Sequence, residues 1–235
     1  MCRAVYRRRH GTIGAMQRVV SIRDSTPFTY SSRKQLRGLL SDARAVRGSA
    51  RWVLMRRQLV RLLQPRADRL VLPNGLREVL FICHGNIMRS ALAAELLRVE
   101  LRRNALEGVV VRSAGLAAVT NSPADPRARL IAQSFGMSLE DHRATPVSAE
   151  LAARADLILV MDWRNDAEMV ARFPALTPKL AMLGALAPRD FDEWPSISDP
   201  YARDASEAAL CFHRIRVAVA ALASQILAFR SPAAI

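Results

Sequence analysis

Cys83, His84, Gly85, Asn86, Ile87, Met88, Arg89 and Ser90 follow one another directly after the apolar run Val79-Leu80-Phe81-Ile82. A thiol, a guanidinium and a hydroxyl at these offsets have the chemistry of a nucleophile inside an anion-binding loop. The run before Cys83 has strand length and β-type composition, and residues 90–103 carry Ala91, Ala94, Leu97 and Leu101 at helical spacing. The octet therefore joins a strand to a helix. At such a junction the first helical N–H groups lack intrahelical partners and the macrodipole is positive, which suits a tetrahedral anion. Gly85 and Asn86 both tolerate positive φ, so both are expected to help the backbone curl around it. Arg89 adds a planar, two-pronged donor for the equatorial oxygens of a phosphate. A free thiol has a pKa of about 8.5, and helix N-termini or nearby cations lower it to about 3.5–7.5, which makes thiolate the resting form near neutrality. Ser90 can donate a hydrogen bond to that thiolate. A single cysteine at a strand end is more often a small buried hydrophobe. The glycine, asparagine, arginine and serine at fixed offsets set Cys83 apart from that reading.

A thiolate attacking a phosphate monoester needs a partner to protonate the departing oxygen, a contribution of about 10²–10⁴-fold. Asp199, in Ser198-Asp199-Pro200-Tyr201, is the candidate. It lies in the polar loop 187–203, between the apolar segment 180–186 and the C-terminal helix. Pro200 restricts Asp199 to extended conformations, and Tyr201 offers a wall for an aromatic substrate. Asp-Pro is also an ordinary turn starter, and Asp190, Asp192 and Glu193 are competing carboxylates.

Beyond the octet come Arg112-Ser113-Ala114-Gly115, Ser122-Pro123-Ala124-Asp125-Pro126-Arg127, His142, Ala155-Asp156-Leu157-Ile158-Leu159-Val160-Met161-Asp162, Phe173-Pro174 and Asp199-Pro200-Tyr201. In these residues, their order and their spacing, the sequence resembles bacterial members of the low-molecular-weight protein tyrosine phosphatase family over residues 77–230. The resemblance implies a phosphoric monoester hydrolase that acts on phosphotyrosine in proteins, without cofactor or metal, through a cysteinyl-phosphate. It implies Cys83 as nucleophile, Arg89 as phosphate clamp, and Asp199 as the general acid that later activates water. It also implies that Asn86, Ser90, Ser113 and His142 form a network holding the 83–90 loop in shape. Met88 stands where many members carry a second cysteine, so the oxidative protection such a pair provides is not expected. Residues 116–121 lack an aromatic that many members place on the cleft wall, and Ala202 follows Tyr201 where some have a second aromatic. His84 is also uncommon in the family and is expected to face solvent, with stabilisation of the thiolate as the alternative.

The coarse pattern gives the fold class independently. Strands are predicted over 79–83, 109–113, 157–161 and 180–183, and helices over 90–103, 126–135, 162–172 and 204–229. Alternating β and α elements imply an α/β, doubly wound, four-stranded parallel sheet with helices on both faces. Ligands bind such sheets beyond the carboxyl ends of the strands, where Cys83 and Ser113 fall. In the last helix Ala208, Cys211, Ile215, Ala218, Leu222 and Phe229 keep a helical stripe, so Cys211 is expected in the core and His213 at the surface or boundary. No Cys/His cluster has metal-ligand spacing, and no Gly-rich dinucleotide fingerprint or Walker loop is present.

Charge divides the chain. Residues 1–76 hold 17 lysines and arginines against 3 acidic residues, while 77–235 hold 18 of each, so the net +14 resides in the first third. The sequence thus predicts a basic N-terminal extension, 1–76, joined near Leu72-Pro73-Asn74-Gly75 to a catalytic domain, 77–235. Within the extension, 1–30 is expected to be disordered and 32–63 to form basic amphipathic helices with Leu36, Leu39, Leu40, Ala43 and Val46 on one face. Such helices suit an anionic membrane surface or an acidic protein partner, and a solvated cover on the catalytic domain is the plain alternative. No motif for sequence-specific nucleic-acid recognition accompanies the charge. No apolar run reaches the length of a membrane span. Cys2, Cys83 and Cys211 make no disulfide framework, and a catalytic thiolate suits a reducing compartment, so a cytoplasmic location, with the inner membrane face as a peripheral site, is expected.

Two other functions share these residues. An arsenate reductase-like enzyme would use the same loop but needs further cysteines to relay a disulfide, and only Cys211 lies downstream. A phosphate-binding scaffold without turnover would need the loop alone.

Overall fold

The structure, a computed structural model, describes residues 52, 53, 55, 56, 70, 72–188, 195–201 and 203–230. The readings of 1–30 as disordered and of most of 32–63 as amphipathic helix, and the competing carboxylates Asp190, Asp192 and Glu193, lie outside the described residues. Two units partition the chain, Met1–Ser31 and Ser32–Ile235. Within the second, Trp52, Val53, Met55 and Arg56 are helical.

Four strands, β1 (Glu78–Cys83), β2 (Val110–Gly115), β3 (Leu157–Val160) and β4 (Leu180–Met182), form one sheet in the order β2-β1-β3-β4. Every pairing is parallel. The chain leaves β1 for β2 on one side and returns to β3 on the other, so the loops after β1 and β3 diverge at the sheet's centre. A crevice opens at such a switch point.

After β1 the described residues form the helices α1 (Arg89–Arg103), α2 (Pro126–Ser134), α3 (Ala149–Arg154), α4 (Trp163–Arg172) and α5 (Ala205–Arg230). Alternation along β1 separates two cores, as period-two side chains must. Val79, Phe81 and Cys83 pack with α1, α2 and α5, whereas Leu80 and Ile82 pack with α3 and α4. All six residues of β1 are buried, which is why this strand reads as an unbroken apolar run. Val53 packs against the second of these cores.

Helix α5 is long and apolar enough to cross a membrane by length and composition, but half of its most apolar stretch is buried inside the protein. Its stripe of Cys211, Phe212, Ile215, Val219 and Leu222 belongs to the α1 core, so the hydropathy of this helix is spent on packing. Its last residue, Arg230, donates to the carbonyls of Leu76, Glu107 and Gly108 and ties the helix end to the approach to β1. Asp156, just before β3, accepts from the amides of Arg77 (2.8 Å) and Glu78 (2.9 Å) and aligns the starts of the two central strands.

The sequence missed α3 and the two 3₁₀ segments Pro174–Lys179 and Leu183–Leu186. The first is six residues long with one fully buried position, Ala152, so no apolar periodicity marks it; the Ser148 cap, accepting from the Leu151 amide at 3.1 Å, and the charges of Glu150 and Arg154 at its two ends are its local signals. Strand β2 starts at Val110 and runs two residues past the predicted end, through Ala114 and Gly115, types with little β propensity. Tertiary pairing overrides that preference, since Gly115 sits opposite Cys83 in register.

Gly115 is also where backbone meets backbone. A Cβ there would lie 2.7 Å from the His84 carbonyl oxygen and 2.9 Å from the Asn86 nitrogen. Gly115→Ala is expected to destabilise the protein by about 1–3 kcal/mol, as overpacking against rigid atoms does. Urea unfolding of the two proteins measures this, and an unchanged midpoint would contradict the close approach.

Candidate active site

Cys83 ends β1 with 3% of the residue exposed. Its Sγ lies 3.0 Å from Ser90 Oγ and accepts from the Asn86 amide at 3.2 Å. As a thiolate the sulfur can only accept, so Ser90 then donates to it. Ser90 Oγ in turn accepts from Asn86 Nδ2 at 2.9 Å, and the Ala114 carbonyl is a more distant acceptor at 3.4 Å.

Asn86 is the pivot of the loop. It is fully buried with φ of 54°, in the left-handed region that asparagine tolerates better than most residues. Besides the bonds to Cys83 and Ser90, its Oδ1 accepts from the Thr145 amide at 2.9 Å. Its carbonyl pairs with His142 Nε2 at 2.6 Å. A carbonyl only accepts, so Nε2 carries the proton. Burial lowers the His142 pKa, the bond to Asn86 partly offsets this, and Arg98 and Arg143 add to the lowering. Gly85, which tolerates a positive φ, does not adopt one. The reversal falls on Asn86 alone, whose side chain fixes the conformation that a glycine would only permit.

Helix α1 begins at Arg89, behind Met88 in the cap position, with no side-chain cap. Its first-turn amides are thus not taken up by a capping side chain, the condition under which a helix start holds an anion. Met88 is 3% exposed and packs in the same core as Cys83 and Cys211. Ile87 is half-buried, and its carbonyl accepts from the Asp125 amide at 2.9 Å. His84, expected to face solvent, is half-buried with Nδ1 buried and without a hydrogen-bond partner among the described residues, while its carbonyl accepts from the Ala117 amide at 2.9 Å.

Arg89 is 1% exposed, and its guanidinium meets two carboxylates. Nη1 lies 2.5 Å from Asp162 Oδ2 and donates to the Ile197 carbonyl at 3.0 Å, while Nη2 lies 2.6 Å from Asp199 Oδ2. Burial works against the charge; Asp162, Asp199 and Cys83 outweigh it and hold the group above the ordinary arginine value. Asp162 also caps α4 by accepting from the Asn165 amide at 2.7 Å, which fixes its carboxylate against the guanidinium. Asp199 is different. Its side chain is 44% exposed, and its other oxygen accepts from the Tyr201 amide at 3.3 Å. Tyr201, two residues after Asp199, is 60% exposed.

The structure therefore brings Cys83, Asn86, Arg89, Ser90, His142 and Asp199 together. It does not bring in Ser113, which sits half-buried opposite Phe81 with no hydrogen bond of its hydroxyl to the loop among the described residues. Thr145 and Asp162 are the members that sequence reasoning missed. Thr145 acts through its main chain, which leaves no trace in residue type. Asp162 was visible as an acidic residue between the fully buried strand β3 and a helix, a strand-to-helix junction like the one that holds Arg89 after β1.

Residues 78–230 match the family described as low molecular weight phosphotyrosine protein phosphatase. The probable low molecular weight protein-tyrosine-phosphatase EpsP of Ralstonia nicotianae is 40% identical over 126 residues, covering 54% of this chain and 79% of that protein. The crystal structure of the Erwinia amylovora tyrosine phosphatase AmsI superposes with a TM-score of 0.59 at 26% identity, over 66% of this chain and 98% of its own. The YwlE arginine phosphatase of Geobacillus stearothermophilus does so with a TM-score of 0.57 at 27% identity, over 65% and 94%. A cysteine at the end of the central strand, an arginine buried at the next helix start and a match through nearly all of both cores leave one assignment: the chain belongs to the low molecular weight phosphotyrosine protein phosphatase family and is a cysteine-based phosphatase.

Proposed function

We propose that the protein hydrolyses phosphotyrosine in proteins, with Cys83 as nucleophile, Arg89 as phosphate clamp and Asp199 as general acid and base. The observation that carries this reading is the Arg89 guanidinium, anchored by Asp162 through Nη1 and by the exposed Asp199 through Nη2, beside a sulfur already bonded to two donors. An arriving phosphate monoester exchanges with Asp199 at Nη2 and takes its remaining contacts from amides of the 83–90 loop and the start of α1. The Cys83 thiolate attacks phosphorus in line, the S–P bond forms, the P–O bond breaks, and Asp199 protonates the leaving oxygen. Asp199 then takes a proton from water as that water attacks phosphorus, the S–P bond breaks, and phosphate leaves with the thiolate restored. Ser90 donates to the sulfur as it regains charge. The exposed Tyr201 beside Asp199 supports an aromatic substrate, and the names of EpsP and AmsI support tyrosine as the phosphorylated residue.

Cys211 argues against an arsenate relay. It is 5% exposed, and burial pushes its thiol up to about 12, with Arg89 opposing, so it is a poor source of the attacking thiolate a relay needs. The convergence of thiol, guanidinium and carboxylate argues against a scaffold that merely binds phosphate. For the 1–76 extension we propose attraction to an anionic membrane surface from a cytoplasmic location, supported by its charge imbalance.

Cys83→Ser is expected to abolish turnover of aryl phosphates in steady-state assays; surviving activity would sink the nucleophile assignment. Asp199→Ala should slow release of poor leaving groups by about 10²-fold or more and good ones far less, and a higher kcat/KM for phosphotyrosine peptides than for phosphoarginine peptides is expected.

His142, whose folded pKa lies below its ordinary 6.5, binds fewer protons folded than unfolded near that pH. Its contribution to stability is complete above about 6.5 and is lost as pH falls through the folded value. The stability gap between wild type and His142→Gln, measured by urea unfolding, should therefore narrow between about pH 8 and pH 5.5. A gap independent of pH would exclude a neutral His142 from the network.

The full chain is expected to sediment with anionic vesicles and to be released by salt, while a chain starting at Pro73 stays in solution. Equal behaviour of the two would remove the membrane proposal.

A further inference from the structure

Asp199 sits on an exposed loop, and the described part of that loop after it, Pro200, Tyr201 and Arg203, is held by one guanidinium from outside. Arg127, in the first turn of α2, donates through Nη2 to the Tyr201 carbonyl at 2.9 Å. Its Nη1 donates to the carbonyls of Arg203 (3.3 Å) and Pro200 (3.4 Å). Nη2 also approaches Met88 Sδ at 4.0 Å.

The other end of this connection is the 83–90 loop. Asp125 caps α2 by accepting from the Arg127 amide at 2.9 Å, and the same oxygen accepts from Arg127 Nε at 3.1 Å. Its second oxygen takes Nη2 at 3.3 Å, so the carboxylate grips the guanidinium twice. The Asp125 amide donates to the Ile87 carbonyl at 2.9 Å, inside the octet. Pro126 at the first helical position sets the angle at which Arg127 leaves. A continuous path thus runs from Ile87, four residues after the sulfur, through Asp125 and Arg127 to the carbonyl of Pro200, the residue after Asp199.

We infer that Arg127 is the positioning residue of the Asp199 loop, setting the distance between the acid and the nucleophile by clamping the carbonyls of Pro200, Tyr201 and Arg203 from a base fixed to the 83–90 loop. The guanidinium suits this work because its five donors lie in a fixed plane, so one side chain serves Asp125 and the loop carbonyls together. A lysine cannot, having one point charge on a flexible stem. The ion pair with Asp125 raises the Arg127 pKa, and Tyr201 and Asp199 add to it, so the clamp stays charged at any working pH. Arg127 touches no reacting atom; it acts through Asp199, and the inference rests on the reading of Asp199 as general acid.

The test is a leaving-group series in the full chain: wild type, Arg127→Ala, Arg127→Lys, Asp199→Ala and the Asp199→Ala/Arg127→Ala double variant, assayed on aryl phosphates from phenyl to dinitrophenyl. Misplacing a catalytic group costs up to about 10²-fold, so Arg127→Ala should lower kcat on phenyl phosphate by about 10–100-fold and on dinitrophenyl phosphate by less than about threefold. Inhibition by inorganic phosphate should be unchanged, Arg127→Lys should fall between, and the double variant should be no slower than Asp199→Ala. An equal loss across leaving groups, or losses that multiply in the double variant, would show a merely structural Arg127 and overturn the inference. Absence of leaving-group dependence in Asp199→Ala itself would overturn the acid assignment and the inference with it, an outcome distinct from failure at Arg127 alone.

Discussion

Arg89 carries a positive charge where almost none of the residue reaches solvent, and a buried ion is tolerated only when paired and hydrogen-bonded. Three acceptors on two segments meet that requirement: Asp162 after β3, and the Ile197 carbonyl and Asp199 on the loop before α5. Removing one partner of a buried pair costs about 3–5 kcal/mol in general, so the fold must deliver Asp162 to this point. It does so through the sheet. β1 and β3 are adjacent and parallel with Ile82 opposite Val160, so Arg89, beyond the end of β1, and Asp162, beyond the end of β3, leave the same edge side by side.

The loop between Cys83 and Arg89 is held both from within and from outside. Asn86 turns the chain and bonds to Ser90, Thr145 and His142, which belong to three separate parts of the protein. Beneath it the end of β2 lies so close that only a hydrogen fits at position 115. The amides of Leu116 and Ala117 donate to the carbonyls of Cys83 and His84, so the strand continues its pairing into the loop. A network of this kind keeps the sulfur and the first amides of α1 in place before any ligand arrives, which is the condition for electrostatic stabilisation without reorganisation.

The legible part of this arrangement was local. A fully buried strand, an octet with a nucleophile and a clamp, and a helix with apolar spacing can each be read from neighbours in sequence, and the doubly wound sheet follows from their alternation. Asp199 could be read only because a thiolate in the octet calls for an acid to protonate the leaving oxygen; by local rules Asp-Pro starts a turn. What was illegible is what crosses the chain through main-chain groups. The Thr145 amide and the Ile197 and Tyr201 carbonyls are the same in any residue, so no composition reveals them. Ser113 and Gly85 illustrate the converse. Their types permitted a role, and the geometry gave it to other residues: the hydroxyl nearest the sulfur is Ser90, and the reversal of φ is at Asn86.

Nucleophile and acid need opposite mechanical treatment in the proposed reaction. The sulfur must stay fixed while the carboxylate releases Arg89 as phosphate oxygens arrive, and one guanidinium serves both ends. Nη1 holds Asp162 and the Ile197 carbonyl, neither of which has any step to perform. Nη2 holds Asp199, which does. Because Ile197 lies two residues before Asp199, the bond to its carbonyl keeps the loop in reach when the carboxylate lets go. The Ile197 amide donates to the Met161 carbonyl at 2.8 Å, and Gly184 admits the Pro195 carbonyl to a contact that any Cβ would block. The loop is therefore pinned before Asp199 and clamped after it, leaving the carboxylate as the part free to exchange partners. In the proposed reaction, protonation of the leaving oxygen then needs movement of the Asp199 side chain while the described loop residues on either side stay bonded.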